Sequence, residues 1–463
     1  MHFKFSTVAE EDRKIVIGKE EYSITVPPAP GSAVVEFHIR NVLSDINLEG
    51  LVEDLENVGH FLEIAKYGVA AAENTHLQIQ VQKIGMSITK LSTKSHTVIG
   101  DFRRASRRVI LALTATYQYL LRGMEDVAVA MLSDVIDEAS RMEKVARNMK
   151  VAFEEEINEV VQVYEEAINA QGLERETKMK LHEQINEFQL LRSSAERLLN
   201  SAIEAEKKAW KMFEEARNKE FKALGKQLSP FKSLINAFTT VKFGVQVFNL
   251  DSHKGVAEAA KQEKLLHFEV AKEQHRLQLT AKQQMEENAM KIERANEKTG
   301  LASAAIEALH GTIGGLFALS TIMLRAAQFW ENMQKHLETL KRPLIEKEVK
   351  AVMQYDKTER YNVWVSDDFK ERGVNCYAMW VALEEVCSEY MEKLSLTNEK
   401  LYHMLIENPR PDQASAHLPE LVSKFLPNLE RQTRALEQKQ PTELGAGFQK
   451  PVGTEKHQPN VEL

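Results

Sequence analysis

From Leu132 onward the apolar residues recur at a strict spacing of three and four: Leu132, Val135, Ala139, Met142, Ala146, Met149 and Phe153. Nothing else in the chain restricts the fold as tightly. Such a row lies along one stripe of an α-helix and has to be covered by another helix. After one additional residue Ile157, Val160, Tyr164 and Ala167 take the row up again, a local shift of phase within one long helix. Gln171-Gly172 then marks a turn, and a second seam comes after it: Phe188, Leu191, Ala195, Leu198, Ala202, Ala205, Ala209 and Met212. Two seams around a short turn predict an antiparallel helical hairpin. Forty helical residues reach roughly 60 Å, so the hairpin is a rod.

The composition fits a rod. Among 463 residues only 20 are Gly and 12 Pro, which favours long uninterrupted helices over a loop-rich fold. The length would suit more than one ordinary domain, but a bundle lengthens without a second core. A net charge of -8 lacks the basic excess of a nucleic-acid binder, so no nucleic acid is expected as a partner. The two cysteines, Cys376 and Cys387, sit eleven apart on one expected helix. That is roughly 16 Å, beyond a disulfide's reach. Met1-His2-Phe3-Lys4-Phe5 has no apolar signal core, so the chain reads as cytoplasmic or exported by a non-classical route.

The predicted fold class is all-α, an elongated bundle of long antiparallel amphipathic helices. Residues 1–30 form an arm. Within it Lys14-Ile15-Val16-Ile17-Gly18 and Tyr22-Ser23-Ile24-Thr25-Val26 alternate like a small β-hairpin around Gly-Lys-Glu-Glu. Residues 31–224 form the stalk, with helices broken weakly between Asp45 and Lys94. Residues 225–255 form a head, and 256–342 hold a polar return helix followed by a central apolar helix. Residues 343–435 are a further helical region, and 436–463 a polar tail without period, expected to be disordered.

Three features are candidates for function. The stretch Leu301–Leu324 is long enough to cross a bilayer and carries only Glu307 and His310 as ionisable groups. Its Gly311-x-x-x-Gly315 would let another helix approach closely. It is a buried central helix, a transmembrane span, or a segment that inserts on activation. The aromatic pair Phe329-Trp330 lies further along the same helix. The second feature is the weakly charged head. Phe231, Leu234, Ile235, Phe238, Val241, Phe243, Val245, Val247 and Phe248 make it either a cap on the rod's tip or a tongue that touches membrane. The third is Arg103, Arg104, Arg107 and Arg108, four guanidiniums within about a turn and a half. They are a solvated face paired with nearby acids or a site for an anionic surface. No phosphate-binding loop, dinucleotide fingerprint, H-E-x-x-H or G-x-S-x-G occurs, so no catalytic residue, metal site or cofactor is expected.

The order of these elements is itself informative. Two heptad-patterned helices precede a weakly charged head, a polar helix, and a small-residue apolar helix that leads into Phe329-Trp330-x-x-Met333-x-x-His336. From about Asp45 to Leu340 this resembles the cytolysin-A-type α-helical pore-forming toxins, which include the haemolytic enterotoxin components. The resemblance implies a soluble helical rod with a masked hydrophobic tongue, here Phe231 to Leu250, and a Trp330 helix inside the stalk. It also implies a lipid membrane as partner, and assembly with copies of itself or with related helical proteins. A cytoplasmic coiled-coil scaffold without membrane activity is the alternative.

Overall fold

The computed structural model describes residues 13–170, 254–298, 301–339, 361–362, 364–406 and 409–438, with scattered positions between 179 and 201. Two short strands come first, β1 (Lys14–Ile17) and β2 (Glu20–Ser23). They pair antiparallel with Ile17 opposite Glu20 and Lys14 opposite Ser23. The turn is therefore Gly18-Lys19, and the second strand begins two residues earlier than the alternation predicts. Gly18 explains the shift. Its φ of +66° suits glycine at the first position of a two-residue loop, so the chain reverses there. The hairpin sits on the helices: Ile24 is fully buried and Lys370 Nζ donates to the carbonyl of Lys14 at 2.9 Å.

Helix α1 (Ala33–Ile46) and helix α2 (Leu48–Ala71) meet at one residue. Asn47 is left-handed, with φ +53°. Its N–H closes α1 on Leu43 O at 3.1 Å, and its side chain accepts from Gly50 N at 3.4 Å to open α2. Asn tolerates this conformation better than most residues, and Gly50 leaves room for the side chain. Helix α3 (Thr75–Leu121) is capped by Asn74, which accepts from Leu77 N at 3.1 Å. Gly123, at φ +71°, turns the chain into helix α4 (Glu125–Ala170). Beyond lie α5 (Lys254–Lys298), α6 (Leu301–Thr339), α7 (Asp367–Ile406) and α8 (Pro411–Gln438).

The heptad row on α4 is buried as its spacing predicts. Val135, Ala139, Met142, Ala146, Met149, Phe153, Ile157, Val160, Tyr164 and Ala167 are all inside, across the shift of phase. The row faces α6 and α3. The second seam, its expected partner, lies outside the described residues apart from a few positions, of which Leu191 is buried. The bundle is organised around α6, which packs on α1, α2, α4 and α5. Helix α7 closes the other side against α1, α2 and α3, while α8 lies across α2 and α5. The fold is all-α with a small N-terminal hairpin. The head, residues 340–360 and the tail from 439 lie outside the described residues.

Candidate functional site

Of the candidates, the apolar helix is the one whose surroundings are described. Ser303–Glu331 of α6 has a mean hydropathy of 1.3, and 94% of its most apolar window is buried in the bundle. In this structure it is a core helix. Burying that many apolar side chains is favourable, and lipid would offer them a comparable environment.

Two glycines let α2 press against α6. A Cβ added to Gly311 would lie 2.3 Å from Phe61 Cε1, and one added to Gly315 would lie 2.5 Å from Val58 Cγ2. Neither position has space for a methyl group. At the other end Trp330 is fully buried and Phe329 nearly so. The Trp330 ring lies 5.2 Å from Phe102 of α3 and 5.9 Å from Trp380 of α7, between centroids. This aromatic cluster ties α6 to the α3–α7 side of the bundle.

The polar groups along α6 are few and each has a distinct environment. His310 is buried beside the Tyr164 ring, 5.6 Å between centroids. The nitrogen of the Gln284 amide lies 2.8 Å from His310 Nε2, the contact of a neutral imidazole accepting a hydrogen bond. Burial pulls the imidazole down to about 4, helped by Lys291 and opposed by Glu287. Glu307, one turn earlier, is pushed up by burial, and its Oε2 has no hydrogen-bond partner among the described residues. Ser320 donates to Glu154 Oε1 at 3.1 Å, while Thr312 and Thr321 turn back onto carbonyls of their own helix.

Helix α5 covers α6 with a different surface. Leu277, Ala281, Met285, Ala289 and Ile292 are buried, but so are Gln274, Gln278, Lys282, Gln284 and Asn288. Gln274 donates to Gln328 of α6. Several other polar atoms there are inside without a hydrogen-bond partner among the described residues: Gln278 Nε2, Gln284 Oε1 and both side-chain heteroatoms of Asn288. Lys282 is held by Asp54 of α2, Nζ to Oδ1 2.6 Å, with Glu53 Oε2 at 3.5 Å. Burial pushes the Asp54 carboxyl up, against the pull of Lys282.

The arginine cluster is largely engaged. Arg104 pairs with Asp101, Arg107 with Glu384 of α7, and Arg108 with Glu138 of α4. Arg103 is half-buried, beside the Cys387 thiol that burial pushes up. The head residues Phe231 to Phe248 lie outside the described residues. Among the described residues no group of three or more His, Cys, Asp or Glu is placed to hold a metal ion.

Sequence patterning alone passes over Asp54, Asn57, Lys282, Gln284, Asn288 and Gln432. A signal exists only for the three on α5, where Leu277, Ala281, Met285, Ala289 and Ile292 repeat at four, four, four and three. That narrow stripe shows which polar residues flank it, but not that they are buried.

No family model and no curated protein matches the chain. Among solved structures it is similar to the HblL1 toxin component of Bacillus cereus, at 12% identity and a TM-score of 0.27. That match covers 72% of this chain and 96% of the other. It is also similar to soluble SmhA of the tripartite alpha-pore forming toxin Smh from Serratia marcescens, at 12% identity and a TM-score of 0.25. Here 80% of this chain and 94% of the other are covered.

Proposed function

We propose that this protein binds membrane and oligomerises through its helices, permeabilising the bilayer by releasing α6 from its cover. The observation that carries this reading is the pairing of α6 with α5. One helix is apolar over a bilayer's length and the other covers it with a polar, under-partnered face. A buried polar atom without a partner costs about 1–3 kcal/mol. Parting the two helices returns those atoms to water. Lipid, or the α6 helices of other copies, receives the apolar side. In lipid the Gly311–Gly315 face, now filled by Phe61 and Val58, becomes a close-packing surface for a second helix. Glu307 and His310 are costly in hydrocarbon when charged, and both are held here in environments that favour the neutral form.

In this reading the head makes the first contact. Phe231, Leu234, Ile235, Phe238, Val241, Phe243, Val245, Val247 and Phe248 supply its apolar side chains. Arg104, Arg107 and Arg108 can bind an anionic surface only by exchanging their present acid partners, with half-buried Arg103 beside them.

Flotation with vesicles and release of an entrapped dye test the reading. Binding and leakage are expected from the full chain, and both are expected to be lost with Phe238→Asp plus Val245→Asp. Absence of flotation with every lipid mixture overturns the proposal and leaves a scaffold that pairs with other helices.

A further inference from the structure

Helix α8 braces the cover of α6 from outside. Its inner row, Ala414, Leu418, Val422, Phe425, Leu426, Leu429 and Thr433, is buried, and it packs on α2 and α5. Those are the two helices that close this side of α6. Its outer face carries exposed Glu420, Lys424, Arg431 and Arg434.

Two contacts seat it. The Phe425 ring meets the Phe61 ring edge-on, with centroids 4.9 Å apart, and lies 5.1 Å from the ring of His60. Phe61 is the side chain that fills the space over Gly311. A continuous stack therefore runs from α8 through α2 to the glycine face of α6. One turn before Phe61, Asn57 Nδ2 donates to Gln432 Oε1 at 2.8 Å. The same Gln432 oxygen accepts from Lys282 Nζ, also at 2.8 Å. Lys282 in turn is paired with Asp54. One amide oxygen of α8 thus joins α2 to α5 over a buried ion pair.

The helix itself is poorly made to stand alone. Pro419 and Pro427 lie inside it. Each removes a backbone donor and crowds the carbonyl four residues earlier. Its stability in place comes from the seat. An element that packs mainly on two of the described helices and has a weakened backbone opens before helices packed on several sides.

We propose that α8 is an autoinhibitory strap: while seated it clamps α5 to α2 and keeps α6 covered, and its release precedes exposure of α6. Transfer of the exposed α6 to lipid rests on the membrane reading above; the release of α8 does not.

The test uses the full chain with Gln283→Cys and Glu437→Cys, which replace an exposed pair that bridges α5 and α8 at 3.1 Å. A short reducible bis-maleimide locks the strap. The locked protein is expected to float with anionic phospholipid vesicles about tenfold less than the unlocked one, and reduction of the linker is expected to restore flotation. Hydrogen exchange on the protein without vesicles is the second arm. Amides of α8 are expected to exchange faster than those of α3, α4 and α7, and Gln432→Ala to speed α8 about tenfold further while leaving α3 unchanged. Flotation of locked and unlocked protein to the same measurable extent overturns the strap. So does exchange of α8 only together with α3 and α4. If no form floats, the membrane reading fails, and the exchange result alone decides the strap.

Discussion

Helices α5 and α6 lie side by side and are buried for opposite reasons. The α6 helix is apolar over most of its circumference, so almost any dry surroundings serve it. The α5 helix is among the most polar in the chain, yet it turns three glutamines, a lysine and an asparagine inward. Its inner face gains from burial only where a partner matches each group, and Asn288 has none for either side-chain heteroatom. Composition alone therefore does not tell which helix of this bundle is held firmly. The interface between the two is the place where protein packing has alternatives on both sides, lipid for one face and water for the other.

The largest expected effect falls on the polar side. Lys282→Met leaves the buried Asp54 without its cation, beside a partly exposed Glu53, and should lower stability to urea by about 4 kcal/mol. Adding Asp54→Leu should recover most of that loss. No recovery would mean that the ion pair is not what holds α5 to α2.

Next comes pH. His310 is held down at about 4 in the fold. Its contribution is fully present above the ordinary imidazole value near 6.5 and is lost as pH falls through 6.5 towards 4. For a shift of that size the loss is about 3 kcal/mol. Glu307 works in the opposite sense. Burial raises its carboxyl, so its protonation favours the fold as the pH falls. The raised carboxyls of Asp54, Glu53 and Glu156 act in the same direction as Glu307. Stability measured from pH 7 to 4 should fall less steeply in His310→Gln than in the parent protein. It should fall more steeply in Glu307→Gln. Parallel slopes in all three would contradict the burial of these groups.

On the apolar side, Gly311→Val should cost about 2 kcal/mol, because its side chain meets the Phe61 ring. Phe61→Ala should cost about 3 kcal/mol alone, and the double variant less than the sum, since valine fills part of the space. Strict additivity would show that the two are not in contact. Smallest of all is Leu111→Ser on α3, where the leucine is 69% exposed, and a change within about 0.5 kcal/mol is expected.

Periodicity decides how much of this is legible in the sequence. The row from Val135 to Ala167 is readable because each member is apolar and the period is regular, and all of these are buried. The apolar α6 segment is readable from its length and composition, but composition does not choose between core and membrane; the neighbours α1, α2, α4 and α5 place it in the core. The hairpin is legible but its second strand is set two residues late, because alternation does not locate the turn and the left-handed Gly18 does. The polar inlay escapes for a physical reason. Gln274, Gln278, Lys282 and Asn288 look like a solvated face until the three-dimensional arrangement brings Gln328, Asp54 and Gln432 to them. Such partners are separated by tens to hundreds of residues, and no local pattern announces them.

Membrane activity of this kind requires that α6 be covered in water and able to meet lipid. Vesicles containing a photoactivatable phospholipid, mixed with the full chain and illuminated, report this directly when labelled peptides are mapped by mass spectrometry. Lipid adducts within Ser303–Glu331, and none there when α8 is locked to α5, are the expected result. Membrane-bound protein that carries adducts elsewhere and never on that segment would contradict it.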